Sequence, residues 1–182
     1  MKVNFVLPGP SVFPIGGYKM VFEYANRLSE RGHQVNVIFN CSPGVKNHPN
    51  IPSIVKFLYC YLGVWYFPRW FTLNKEVHKI CAYKDLIDAN IPDADFICAT
   101  AISTVESVMK VGINKGKKLY FIQGFENWDK WTTDEVKQTY RLGMTNIVIA
   151  KWLEKIVRDS GADCILIPNG IDFEVFNVDI PI

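Results

Sequence analysis

The chain lacks a surplus of charge of either sign: 20 Lys and Arg stand against 18 Asp and Glu over 182 residues, a net charge of +2. A partner with a phosphate backbone calls for a basic excess, so nucleic acid drops out of the leading readings. Cysteine is sparse and unpatterned. Cys41, Cys60, Cys81, Cys98 and Cys164 are odd in number, widely spread and free of C-x-x-C spacing, which argues against a disulfide framework or zinc knuckle and for a reduced, cytoplasmic protein. His33, His48 and His78 form no H-x-x-x-H, leaving a metal site little support. There is no G-x-S-x-G elbow and no cysteine beside a histidine, so hydrolase chemistry is weakly indicated. The most apolar window, residues 54–67, is 14 residues long with Lys56 inside it, too short to span a bilayer. The opening Met1-Lys2-Val3-Asn4-Phe5-Val6-Leu7-Pro8 lacks the apolar run of a secretory signal and reads as a strand. Asn40-Cys41-Ser42 matches a glycosylation sequon, but nothing else suggests secretion.

What is present is the balance of a chain that buries a core: 49% hydrophobic and 21% charged residues, with mean hydropathy +0.06. The length suits one domain that folds alone, burying about 70% of its unfolded surface. No repeat appears, but strand and helix signals alternate. Residues 2–7 are a β-rich run. After Gly16-Gly17, Met20, Val21, Tyr24, Ala25 and Leu28 recur at spacings of three and four, predicting a helix closed by Arg31-Gly32. Residues 34–39 (QVNVIF) are the next strand, and such a β-α-β unit forces a parallel sheet. Residues 40–53 collect Pro, Gly, Asn and Ser and read as a surface loop. Val77, Ile80, Cys81, Leu86 and Ile87 predict a helix over 76–89. Strands follow at 95–100, 118–122, 146–150 and 164–167, with helices over 103–111, 133–142 and 152–160 between them. The expectation is α/β: a Rossmann-like doubly wound parallel sheet of six or seven strands.

In such sheets ligands bind outside the carboxyl ends of the strands. After the first strand, Gly16-Gly17 open a helix and let backbone N–H groups approach an anion; alternatively they only permit the turn. Gly9 and Gly16 are seven apart with Pro10 and Pro14 between them, so the G-x-G-x-x-G dinucleotide fingerprint is absent. Gly116-Lys117-Lys118 lacks the hydroxyl residue and earlier glycine of a P-loop and precedes a strand instead of following one. Asp93-Ala94-Asp95 has D-x-D spacing, yet it lies at a strand entrance and reads as a solvated strand start. The richest segment follows residues 118–122: Gln123, Gly124, Phe125, Glu126, Asn127, Trp128, Asp129, Lys130, Trp131. Aromatic faces stack on the apolar faces of pyranose rings, while amide and carboxylate groups match hydroxyls. A carboxylate with a raised pKa there can serve as general base towards a hydroxyl. The alternative is that Phe125, Trp128 and Trp131 pack as core and Glu126 and Asp129 favour a helix start.

Residues 16–37 (GGYKMVFEYANRLSERGHQVNV) resemble the first glycine loop, helix and second strand of glycosyltransferases of family 4 (group 1), which are of the GT-B type. Residues 167–176 (IPNGIDFEVF) resemble the P-N-G-[IV]-D-x-x-x-F segment at which their amino-terminal domain hands over to the second. Residues 120–126 (YFIQGFE) are similar to a polysaccharide or rhamnosyl-transferase branch. The resemblance implies that residues 1–182 are the Rossmann-like, acceptor-side half of a GT-B enzyme, with the donor-binding domain and its E-x7-E carboxylates beyond Ile182. It implies retaining transfer of a hexosyl or deoxyhexosyl group from a nucleotide diphosphate sugar to a glycan or lipid-linked acceptor in polysaccharide biosynthesis, with no required metal or other cofactor. This half alone would be inactive. Gly16 and Gly17 would face the donor diphosphate, and Glu126 and Gln123 are the catalytic candidates. Gln123 stands where many relatives have a histidine, and Ala150 stands where they have a strand-end serine. Tyr18, Gly124, Phe125, Asn127 and Trp128 would meet the acceptor, and Asn169 and Gly170 would form the interdomain hinge. The other reading is a non-catalytic Rossmann-like module that binds a nucleotide or carbohydrate.

Charge is unevenly divided: residues 1–90 hold ten Lys or Arg against five Asp or Glu, and residues 91–182 hold ten against thirteen. The basic half contains Tyr59, Tyr61, Trp65, Tyr66, Phe67, Trp70 and Phe71 with Lys56 and Arg69 nearby. These suit peripheral contact with the inner face of a membrane, where a lipid-linked acceptor resides; alternatively they fill the core or a homodimer seam.

Overall fold

The structure, a computed structural model, describes residues 1–42, 50–83, 85–128 and 131–170. Among these residues are seven strands, β1 (Lys2–Pro8), β2 (Gln34–Asn40), β3 (Val77–Ala82), β4 (Phe96–Ala99), β5 (Lys117–Ile122), β6 (Thr145–Val148) and β7 (Cys164–Leu166). Among the described residues five α-helices connect them: α1 (Gly16–Glu30), α2 (Ser53–Tyr66), α3 (Ile102–Lys110), α4 (Thr133–Tyr140) and α5 (Lys151–Asp159). All strand pairs are parallel, in the order β3-β2-β1-β4-β5-β6-β7. The order reverses between β1 and β4, and this doubly wound, Rossmann-like sheet therefore has its switch point there.

Side-chain alternation along each strand sorts the core into two layers. Val3, Phe5 and Leu7 of β1 and Val35, Val37 and Phe39 of β2 pack against Val21, Phe22 and Ala25 of α1 and against Cys60 and Val64 of α2. Val6, Ile38, Ile97 and Tyr120 point to the other face, onto Val105 and Val108 of α3, Val136 and Tyr140 of α4, and Leu153 and Val157 of α5. Gly116 shows where backbone geometry is demanding. It sits at φ +110° at the entrance to β5, and a Cβ there would lie 2.7 Å from the backbone nitrogen of Phe96. Asp95 anchors the same edge by accepting from the Lys2 backbone N–H at 2.7 Å, and Asp93 pairs with the buried Lys115 at 2.7 Å. The D-x-D spacing thus serves strand entrances, as expected. Asn40 of the sequon is fully buried and donates to Ser107 Oγ, so the folded chain offers no acceptor there.

Two expectations are corrected. The helix predicted over 76–89 is instead the edge strand β3, whose Val77 to Ala82 pair in register with Val35 to Asn40, followed by a short turn of 3₁₀ helix at Asp88–Asn90. Val77, Ile80 and Cys81 recur at helical spacing, but in the strand Val77 and Cys81 enter one core layer and Ile80 the other, and the open edge of β2 decides between the two. The loop expected over 40–53 is displaced at both ends: Asn40 closes β2 and Ser53 opens α2, while residues 43–49 lie outside the described residues. The aromatic run also divides. Trp70 and Phe71 pack on Phe22 with ring centroids 5.7 and 5.5 Å away, whereas Tyr59, Trp65 and Tyr66 stay exposed on α2.

Candidate functional site

A cleft of about 260 Å³ opens at the switch point, above the carboxyl ends of β1, β4 and β5. The segment after β1 supplies Pro8, Ile15, Gly17 and Tyr18, the segment after β4 supplies Thr100 and Ala101, and that after β5 supplies Gln123, Gly124, Glu126 and Trp128. α1 begins at the cleft with Ile15 as its first flanking residue, no side-chain cap and no acidic residue in the first turn. The backbone N–H groups of the first turn have no acceptor within the helix, so this end carries the positive pole of the dipole.

Gln123 links β5 to that helix end, its Nε2 donating to the Gly17 carbonyl at 3.2 Å. The link depends on glycine. A Cβ at position 17 would stand 3.3 Å from the same Nε2, forcing the amide aside. Gly124 is covered by the Trp128 indole, whose outer edge would lie 3.4 Å from a Cβ at 124, and Trp128 itself is 62% exposed. The indole therefore offers a face to anything entering from solvent.

Glu126 Oε2 accepts from the Ile102 backbone N–H at 2.9 Å, capping α3 across the cleft where Ala101 has no side-chain cap to offer. Burial pushes this carboxyl above the ordinary glutamate value, and the Ile102 hydrogen bond only partly opposes it. After burial, its charge is the next cause that pushes the Tyr120 and Tyr140 phenols upward. Thr104 completes the cap, its Oγ1 accepting from Thr100 and Ala101 N–H at 3.2 and 3.3 Å.

The candidates do not all converge. Tyr18 lines the cleft with its ring, but its hydroxyl is occupied, donating to the Gly9 carbonyl at 2.7 Å and clamping the β1–α1 loop. Phe125 turns away from the cleft to pack on the α3, α4 and α5 side of the core. Asn127 is exposed and forms a local turn, its N–H donating to the Phe125 carbonyl at 3.0 Å. Gly16 opens α1 beside the cleft, next to the lining residue Gly17. Asn169 lies past β7, where its Oδ1 accepts from Tyr24 at 3.4 Å, and Gly170 beside it is exposed. Asp129, Lys130 and the rest of the handover segment, 171–182, lie outside the described residues. Thr100 and Ala101 were missed. Their only signal was position, directly after a strand whose carboxyl end borders the switch point.

Among the described residues no group of three His, Cys, Asp or Glu side chains is placed to hold a metal. The arrangement can receive an anion at the α1 end and a hydroxylated ring between Gln123, Glu126 and Trp128. No protein-family model matches the sequence, and no curated protein does either.

Proposed function

We propose that this chain is the acceptor-side domain of a GT-B glycosyltransferase of family 4, moving a sugar from a nucleotide diphosphate sugar to a glycan or lipid-linked acceptor. The observation that carries the reading is the cleft at the β1–β4 switch point, where a glycine-opened helix end meets an amide, a half-buried carboxylate and an exposed indole. In this reading the Gly16 and Gly17 N–H groups face the donor diphosphate, Trp128 stacks on the acceptor ring, and Gln123 orients a hydroxyl. Glu126 has its pKa raised by burial, which is the direction a general base at neutral pH requires. The donor's base and ribose would be held by a further domain joined at Asn169-Gly170, and no metal would be required.

A second reading, a non-catalytic carbohydrate-binding module, is favoured by one observation: the Glu126 carboxylate and the Tyr18 hydroxyl are both engaged in structural hydrogen bonds. Transfer from radiolabelled nucleotide sugars by the full-length protein separates the two. The transferase reading expects turnover that falls by about 100-fold or more in Glu126→Gln with the fold intact. Wild-type turnover in that variant overturns the general-base role. Glycan binding lost in Trp128→Ala, with no transfer under any donor, establishes the binding module instead.

A further inference from the structure

The geometry points to α2 as a membrane-docking helix that seats the protein on an anionic lipid surface with the cleft mouth beside it. Its sequence is SIVKFLYCYLGVWY, and only Cys60 and Val64 are buried. At about 100° per residue, the outward arc of this helix spans roughly 160° and carries no charged side chain. The middle of the arc holds Ile54, Leu58, Leu62 and Trp65, all exposed, Trp65 by 70%. Tyrosines flank it on both sides, Tyr61 on one and Tyr59 and Tyr66 on the other. Aliphatic groups in the centre and phenols at the margins match a helix lying in the interface, where apolar side chains enter the acyl boundary and tyrosines remain at headgroup level. The helix has 14 residues, and among the described residues no helix is long and apolar enough to cross a membrane, so it lies on the surface.

Charge selects the occupant. From Arg31 to Lys75 the chain has no Asp or Glu, while Arg31, Lys46, Lys56, Arg69 and Lys75 are all basic. The Arg69 guanidinium lies 4.2 Å from the centroid of the Tyr66 ring, at the margin of the arc. A chain segment that carries an apolar face and only basic charges attracts anionic lipid, whereas a second copy would set like charges against each other.

The apolar surface continues to the cleft. Pro10 and Val12 of the β1–α1 loop and Tyr59, Leu62, Gly63 and Tyr66 of α2 line a groove of about 230 Å³. Pro10 approaches so closely that a Cβ at position 63 would stand 2.9 Å from its ring. Further along the loop Phe13 is 75% exposed, and Ile15 belongs to the cleft wall. A chain docked through α2 therefore holds the cleft mouth at the lipid–water boundary. This assignment rests on α2 and its charge, and goes beyond the sugar-transfer reading without depending on it.

Flotation of the full chain with vesicles of phosphatidylcholine alone, or mixed with phosphatidylglycerol, tests it. Binding is expected to the anionic vesicles at low salt, to weaken at high salt, and to fall by about tenfold or more in Leu62→Glu with Trp65→Glu. Both positions face outward, and circular dichroism checks the fold; if that pair misfolds, Leu62→Ser with Trp65→Ser is read in its place. No flotation with anionic vesicles at low salt overturns the proposal, as does undiminished flotation of the folded variant. A dimer in sedimentation that the same substitutions dissociate, without vesicle binding, makes a second copy the occupant. A chain that floats while the full-length protein transfers no sugar upholds the docking and refutes only the enzymatic reading.

Discussion

Replacing Glu126 by alanine and, separately, by glutamine isolates the two forces acting on its carboxylate. The first is the hydrogen bond from Ile102 N–H at the start of α3; the second is burial, the larger cause, which raises its pKa. Alanine leaves the Ile102 N–H without its charged acceptor, a loss of about 1.5–3 kcal/mol. At roughly 2–4 °C per kcal/mol for a chain of this size, the melting temperature should drop by about 3–12 °C at neutral pH. Glutamine keeps an oxygen for Ile102 and removes the charge that burial disfavours. Below about pH 4, near the ordinary glutamate value, the wild-type carboxyl is protonated in both folded and unfolded chains, and ionisation brings no penalty. As the pH rises, the unfolded chain ionises first, and the full penalty on the folded state is present once the pH exceeds the raised folded-state value. The stability of Glu126→Gln relative to wild type should therefore increase from pH 4 to pH 7.5, measured by thermal melts followed by circular dichroism. If glutamine is as damaging as alanine at neutral pH, or its relative stability falls with rising pH, the helix terminus stabilises the charge more than burial opposes it, and the reasoning fails.

Gly116→Ala should destabilise by about 2–4 kcal/mol, because a Cβ at φ +110° is strained and would press on backbone atoms of Asp95 and Phe96 that have no freedom to retreat. Urea unfolding measures this, and a loss below about 0.5 kcal/mol would contradict the close approach. Gly17→Val should leave the melting temperature within a few degrees, since it sacrifices one neutral hydrogen bond from Gln123, about 0.5–1.5 kcal/mol. The same change should weaken nucleotide sugar binding by the full-length protein in calorimetry, and unchanged affinity would remove the α1 end from the donor site.

Much of the fold was legible in local pattern. The QVNVIF run of β2, the three-and-four spacing along α1 and the glycine at its end depend only on near neighbours in the chain, and these elements stand where the pattern puts them. The general position of the site was legible for the same reason: parallel strands send their following segments to one edge, which brought Gly17, Gln123 and Glu126 to one cleft. Tertiary structure decided what depends on a distant partner. β3 is a strand because β2 has an open edge, although its apolar spacing suits a helix as well. Phe125 and Trp128 are three residues apart in one segment; the core beneath β5 takes the first, and solvent keeps the second. Trp70 and Trp65 part in the same way, because Phe22 of α1 lies under one and nothing described lies over the other. The pairing of Glu126 with Ile102 N–H spans 24 residues and joins two separate connections. Local spacing reports which residues share a face, whereas burial is a property of what the rest of the chain brings against that face.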